Sequence, residues 1–297
     1  MRWHPAFLLR TLGRSQNEPC TIPSEWSATL PLSDYGRVAR QPRRIRARCN
    51  FERYPGPQQL PPEGINLSED LAMRKTRLTV PEILNQLEAF YGKQEACWPS
   101  DPYLFLLWWY CGYPASDASC SKGWKELTGR IGTDPDAILA AHPTKLTAAL
   151  KPGGMLPELR AERMKEVAAR IKNEFDGDLL ASLAGPITKV RKVLKSFPSI
   201  ADPGADRILL FAGIQPVAAV PSNCTGVLER IQKGHEEKNY HASYREAQRM
   251  IDSEVPATFD ARIRAYLLLK RHGQELCKRT KPKCEICPVR AVCAFVK

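Results

Sequence analysis

From about residue 79 onward the apolar positions recur with the three-to-four-residue period of amphipathic helices, and no stretch alternates long enough to mark a strand. The first clear element opens on Thr79, Val80, Pro81 and Glu82, which supply a cap, a first-turn proline and an acid. Ile83, Leu84, Leu87 and Phe90 then share one face, and Gly92 ends it. The run Tyr-Leu-Phe-Leu-Leu-Trp-Trp-Tyr at 103–110 is apolar all round and predicts a buried central helix, with an aromatic platform for bases as the lesser alternative. Residues 134–150 open on Asp134-Pro135 and carry Ile138, Leu139 and Leu146, with His142-Pro143 expected to break the segment in two. Pro152, Gly153 and Gly154 read as a loop. Leu159, Met164, Val167, Ile171 and Phe175 line one side of 157–175, and Gly177 stops that helix. A further helix at 187–194 leads into a turn. The pattern predicts an all-α body.

Residues 1–76 differ. Pro, Arg and Gly are frequent (Gln41-Pro42-Arg43-Arg44, Tyr54-Pro55-Gly56-Pro57), and no period survives more than a few residues, so an irregular, disordered segment is expected. Its first ten residues lack acids and read either as a transit peptide or, preferably, as sequence upstream of the folded part; no chemistry is assigned to them.

Charge changes the picture. The 297 residues carry a formal net charge of +12, and from Arg262 onward ten Lys/Arg stand against Glu275 and Glu285, a net +8. Such a balance points to a polyanionic partner rather than to an acidic small molecule. No run approaches the length of a membrane helix, and a cytoplasmic, non-secreted monomer is expected.

Two stretches carry candidate chemistry. In Phe197-Pro198-Ser199-Ile200-Ala201-Asp202-Pro203-Gly204-Ala205-Asp206-Arg207 a short turn feeds a helix, with Asp202 expected as N-cap, Pro203 at the first helical position and Gly213 in the left-handed residue after the end. A helix N-terminus presents free N–H groups at the positive end of the dipole, a site for phosphate. The second stretch holds Cys277, Cys284, Cys287 and Cys293, spaced six, two and five residues apart. Four thiolates this close can hold one metal centre, for which a [4Fe–4S] cluster is preferred over zinc, since only one C-x-x-C pair is present, and over paired thiols.

The cysteine spacing and the preceding Tyr266-Leu267-Leu268-Leu269-Lys270-Arg271-His272-Gly273 resemble the helix-hairpin-helix DNA glycosylases of the endonuclease III-like branch. The resemblance covers about residues 80 to 297. It implies a two-lobed all-α fold, with 77–276 as the glycosylase-like domain and 277–297 as the cluster loop. One lobe would be the central helices at about 98–213, and the other the first helix with the C-terminal helices. It further implies DNA contacts from the hairpin (Ser199, Ile200, Ala201, Gly204) and from the basic loop residues Lys278, Arg279, Lys281 and Lys283. Two departures matter. The hairpin's two family glycines are Ser199 and Ala201 here, and the position of the Schiff-base lysine is Pro203. The segment Val220-Pro221-Ser222-Asn223 matches the one that carries the family's catalytic aspartate, and an ungapped match places Pro221 there. Proline supplies neither charge nor nucleophile, and the next acid, Glu229, falls well inside the following helix. Asp117, Asp202 and Asp206 are the candidate substitutes, although Asp202 and Asp117 also suit caps. The implied functions are base excision by a DNA glycosylase or, if no acid replaces the missing one, binding of abasic or distorted DNA without excision. A metal-stabilised protein with no nucleic-acid role fits the basic tail poorly.

Overall fold

The computed structural model describes residues 78–296, so the segment 1–76 lies outside it. Helix α1 (Val80–Tyr91) is fixed at its start by a reciprocal capping box between Thr79 and Glu82, with Pro81 in the first turn. Val80, Ile83, Leu84 and Leu87 are buried, each contributing about 1.5–3 kcal/mol. Phe90, expected on that face, is 52% exposed; the next inward position belongs to Tyr91, whose hydroxyl reaches His272 Nδ1 at 3.1 Å.

Helix α2 (Pro102–Tyr110) is the buried central rod the sequence predicts. Asp101 caps it by accepting from Leu104 N–H at 2.8 Å, and every residue except Leu104 is buried. Helix α3 (Asp117–Arg130) was not expected. Its inward stripe is Cys120, Gly123 and Leu127, two of which do not read as apolar anchors. Gly123 is required by close packing, since a Cβ there would stand 2.4 Å from the carbonyl oxygen of Cys111. Ser116, not Asp117, caps α3, accepting from Ser119 N–H at 3.3 Å.

The break at His142-Pro143 is present: α4 (Pro135–Ala140) ends before it and α5 (Pro143–Leu150) begins at it. A 3₁₀ turn occupies the expected loop at Lys151–Gly153 and leads to α6 (Pro157–Glu174). Met164, Val167 and Ile171 face inward as predicted, whereas Leu159 is exposed and Phe175 lies just past the helix end. The short α7 (Leu179–Ser182) precedes α8 (Ile187–Lys195), the turn at 196–201 and α9 (Asp202–Phe211), which together form the helix-hairpin-helix. Beyond it come α10 (Gly226–Lys233), α11 (Tyr240–Glu254) and α12 (Phe259–Glu275), then 3₁₀ turns at Cys284–Ile286 and Arg290–Val292.

The described residues carry two apolar cores. One gathers the side chains of α2 through α9 around Trp98, Phe105 and Trp108. The other joins α1 to α10, α11 and α12 around Ile83, Leu228 and Met250. Helix α12 serves both, with Tyr266 and Leu267 in the first core and Leu268 and Leu269 in the second. This is the two-lobed division the sequence implied.

Candidate functional site

The hairpin turn is held from below. Ile200 plugs the first core, and the Tyr110 hydroxyl donates to the carbonyl of Pro198. Ser199 has φ of +61°, a left-handed conformation suited to glycine, and its hydroxyl accepts from Arg163 Nη1 at 2.6 Å. Ala201 is the N-cap residue of α9 and gives no side-chain cap. Asp202, expected to cap, is instead the first helical residue and pairs with Lys195 at 2.5 Å on the surface. Pro203 accordingly sits one position later than predicted. Gly213 ends the helix at φ +68°, as expected.

Above this turn lies a cleft of about 110 Å³. Ser199, Ala201, Pro203 and Gly204 form one side, Trp109 and Tyr113 another, and Ser222, Tyr240 and Tyr266 the wall from the second lobe. Trp109 and Tyr113 stack, with ring centroids 4.3 Å apart. Arg207 also lines the cleft. The hairpin turn, Pro203 and Ser222, the neighbour of Pro221, therefore line one cleft. Pro221 itself is buried, and no Asp or Glu lines the cleft.

The three candidate acids separate cleanly. Asp202 is spent on a surface pair. Asp206 is sealed: it accepts from Arg191 Nε at 2.8 Å, Tyr244 Oη at 2.8 Å and Gln248 Nε2 at 2.9 Å, tying α9 to α11. Burial raises its pKa, with Tyr244 and Arg191 opposing. Asp117 stands nearest the cleft through its partners. Its carboxylate is ion-paired with Lys270 and lies 3.4 Å from Arg207 Nη2. Burial lowers the Lys270 ammonium to about 8, with the Cys97 thiol opposing. Glu229 is buried inside α10 and accepts from Ser243 Oγ at 2.6 Å, away from the cleft.

Sequence reasoning missed Arg207, Tyr113 and Tyr240. Arg207 had a legible signal, a charge set directly before Ile208-Leu209-Leu210-Phe211 in an apolar helix. It is buried under Trp98, with Cζ 3.8 Å from the ring centroid.

Cys277, Cys284, Cys287 and Cys293 line one cavity with the apolar Ile231, Leu276, Pro282 and Phe295. Arg230 pins its edge, donating to the carbonyls of Cys277 at 2.6 Å and Lys278 at 2.9 Å. His272 is buried with Nε2 3.8 Å from Cys287 Sγ; burial, then Arg230, lowers its pKa to about 4. Although the four sulfurs share a cavity, no group of three or more His, Cys, Asp or Glu side chains among the described residues closes on a single metal ion. Lys278, Arg279, Lys281 and Lys283 are exposed on the same loop. Much of the remaining basic tail is not free surface charge. Arg262 and Lys270 are buried, and Arg262, Arg264 and Arg271 pair with Asp252, Glu88 and Glu275, which corrects the net +8 face.

No protein-family model matches the chain. A curated relative, the thymine/uracil-DNA glycosylase of Pyrobaculum aerophilum, is 25% identical over 162 residues. That match covers 54% of this chain and 66% of the relative, so the chain spans slightly under two thirds of its length. The structure of a trapped endonuclease III–DNA covalent intermediate aligns with a TM-score of 0.58 at 18% identity, covering 74% of this chain and 97% of that one. A thermostable thymine-DNA glycosylase aligns with a TM-score of 0.58 at 21% identity, covering 76% and 98%. The chain therefore has the all-α, two-lobed fold of these proteins, which establishes architecture and leaves chemistry to its own residues.

Proposed function

We propose that this chain, built on the endonuclease III-like helix-hairpin-helix glycosylase fold, binds duplex DNA and takes a flipped nucleotide into its aromatic cleft, with base excision weak or lost. The cleft carries the reading. It is walled by stacking surfaces, opens beside the N-terminus of α9, and has no carboxylate along its lining. Without a positioned acid, several kcal/mol of transition-state stabilisation are missing, roughly a thousandfold or more in rate. Met155 and Leu156 before the first turn of α6 are 75% and 60% exposed, and Arg163 of that helix holds the hairpin serine. Apolar side chains set so suit wedging between base steps.

A second reading is an active glycosylase in which Asp117 replaces the lost acid. Its link to the cleft-lining Arg207 favours it over Asp202 and Asp206.

For the cysteine loop we propose a [4Fe–4S] cluster held by Cys277, Cys284, Cys287 and Cys293. A single zinc, with bonds of about 2.3 Å, would draw four sulfurs onto one point. Four cysteines line one shared apolar cavity, and soft thiolates are the ligands that iron–sulfur clusters select. Such a cluster would hold the loop that presents Lys278, Arg279, Lys281 and Lys283.

Titration of duplexes carrying one abasic analogue, at several salt concentrations, tests the DNA reading. Affinity should fall steeply with salt, and Lys281→Ala with Lys283→Ala should each reduce the log–log slope by about 0.9. Unchanged affinity and slope in the double variant would remove the basic loop from the DNA face.

A further inference from the structure

His272, in the last turn of α12, is fully buried and lines the cysteine cavity. Its carbonyl accepts from the N–H of Cys277 at 2.8 Å, and its ring stands against a second cysteine, with Nε2 3.8 Å from Cys287 Sγ. The other ring nitrogen, Nδ1, lies 3.1 Å from the hydroxyl of Tyr91, the last residue of α1, 181 residues away in sequence. The backbone N–H of Val289 also hydrogen-bonds Cys287. Donors thus gather on one of the four sulfurs.

The chemistry of the three side chains fixes the direction of this hydrogen-bond chain. A thiolate that holds a metal centre has lost its proton and only accepts, so the hydrogen of the neutral imidazole belongs on Nε2. Nδ1 is then an acceptor, and the Tyr91 hydroxyl donates to it. Each donor polarises the next, so Tyr91 strengthens the bond that His272 gives to sulfur. The surrounding Ile231, Leu276 and Phe295 are apolar and screen it little.

We propose that His272, oriented by Tyr91, donates a hydrogen bond to the Cys287 thiolate and thereby raises the reduction potential of the cluster held there. The inference rests on the reading of the four cysteines as a [4Fe–4S] site. Hydrogen bonds to the sulfurs of a cluster favour its more electron-rich state, and the potential rises accordingly. Tyr91 and His272 are positioning residues in this scheme, acting on the cluster through Cys287.

Protein-film voltammetry of the anaerobically purified full chain, with iron counted per chain, tests the bond. His272→Leu keeps the backbone carbonyl that holds Cys277. It should favour the oxidised state about tenfold, a fall in midpoint of about 59 mV for one electron. Tyr91→Phe should shift the midpoint in the same direction by less, and His272→Gln, whose amide can donate, should keep part of the natural value. Iron–thiolate stretches in resonance Raman spectra should rise in His272→Leu, and they read the same bond where no voltammetric wave develops. A merely structural Tyr91–His272 contact would lower the thermal midpoint of the variants and leave potential and stretches in place. If His272→Leu takes up no iron, Tyr91→Phe decides. Unchanged potential and stretches in the iron-loaded variants overturn the inference alone. An unaltered protein without iron overturns the cluster reading and the inference with it.

Discussion

The ammonium of Lys270, in the middle of α12, is ion-paired with the carboxylate of Asp117 in the first turn of α3, 153 residues away in sequence. Asp117 is thus the hub of a three-charge cluster that includes Arg207. Asp117→Asn leaves two buried cations without their counter-charge and should cost about 3–5 kcal/mol. Lys270→Met keeps the Asp117–Arg207 pair and should cost less. Urea unfolding of both variants checks the order; a larger loss from Lys270→Met would mean that Asp117 is not the hub.

Ser199 holds a left-handed conformation at φ +61°, which costs a non-glycine residue about 1–2 kcal/mol. Ser199→Gly should keep or raise the thermal midpoint and retain DNA affinity, since the exposed contact from Arg163 is the only bond given up there. Ser199→Val should lower both. A glycine variant that loses DNA binding with its stability intact would assign the hydroxyl a direct role.

Part of the acid sensitivity has a named source. Hydrogen bonds from Arg249 and Lys233 hold the Glu246 carboxyl at about 2, down from 4.5. Its folded pKa is depressed, so its stabilisation is complete above the unfolded value near 4.5 and is lost as pH falls toward 2. Glu246→Gln should flatten the stability curve in that window and leave it unchanged in slope near neutrality.

The cysteine loop should colour the protein. Anaerobically purified material is expected to be brown, with broad absorption at roughly 400 nm from thiolate-bound iron. Cys284→Ser should bleach it and loosen the second lobe, because closing the site and folding are linked. Colourless protein with one zinc per chain would contradict the cluster.

Helix α1 was legible because Thr79, Pro81, Glu82, Ile83 and Leu87 act locally, and the central rod because an all-apolar run can only be buried. Helix α3 was not, since its packing depends on Gly123 fitting against a carbonyl that only the tertiary fold places. The hairpin was legible as a turn, but its cap was misread: Asp202 turns to Lys195, and the role passes to Ala201. Charges misled most. Lys270 counts in the sequence toward the basic tail, yet it is buried in aromatic surroundings, as is Arg207. The cleft emerges only when Trp109, Pro203, Ser222 and Tyr240, far apart in the chain, come together.

The central claim is a nucleotide-binding cleft without its catalytic acid, and Pro221 tests it most directly. Pro221 is buried beside Ser222, which lines the cleft, so a carboxylate introduced there stands next to the cleft wall. The measurement is single-turnover base release from a duplex with one thymine or uracil mispair, by the natural protein and by Pro221→Asp, alongside binding to the matching abasic duplex. The account predicts retained binding by both, release near background for the natural sequence, and a gain of about tenfold or more in Pro221→Asp, equivalent to roughly 1.4 kcal/mol. Rapid release by the natural protein would contradict it, and loss of that release in Asp117→Asn protein shown to be folded and still bound to the abasic duplex would identify Asp117 as the acid that replaced the missing one.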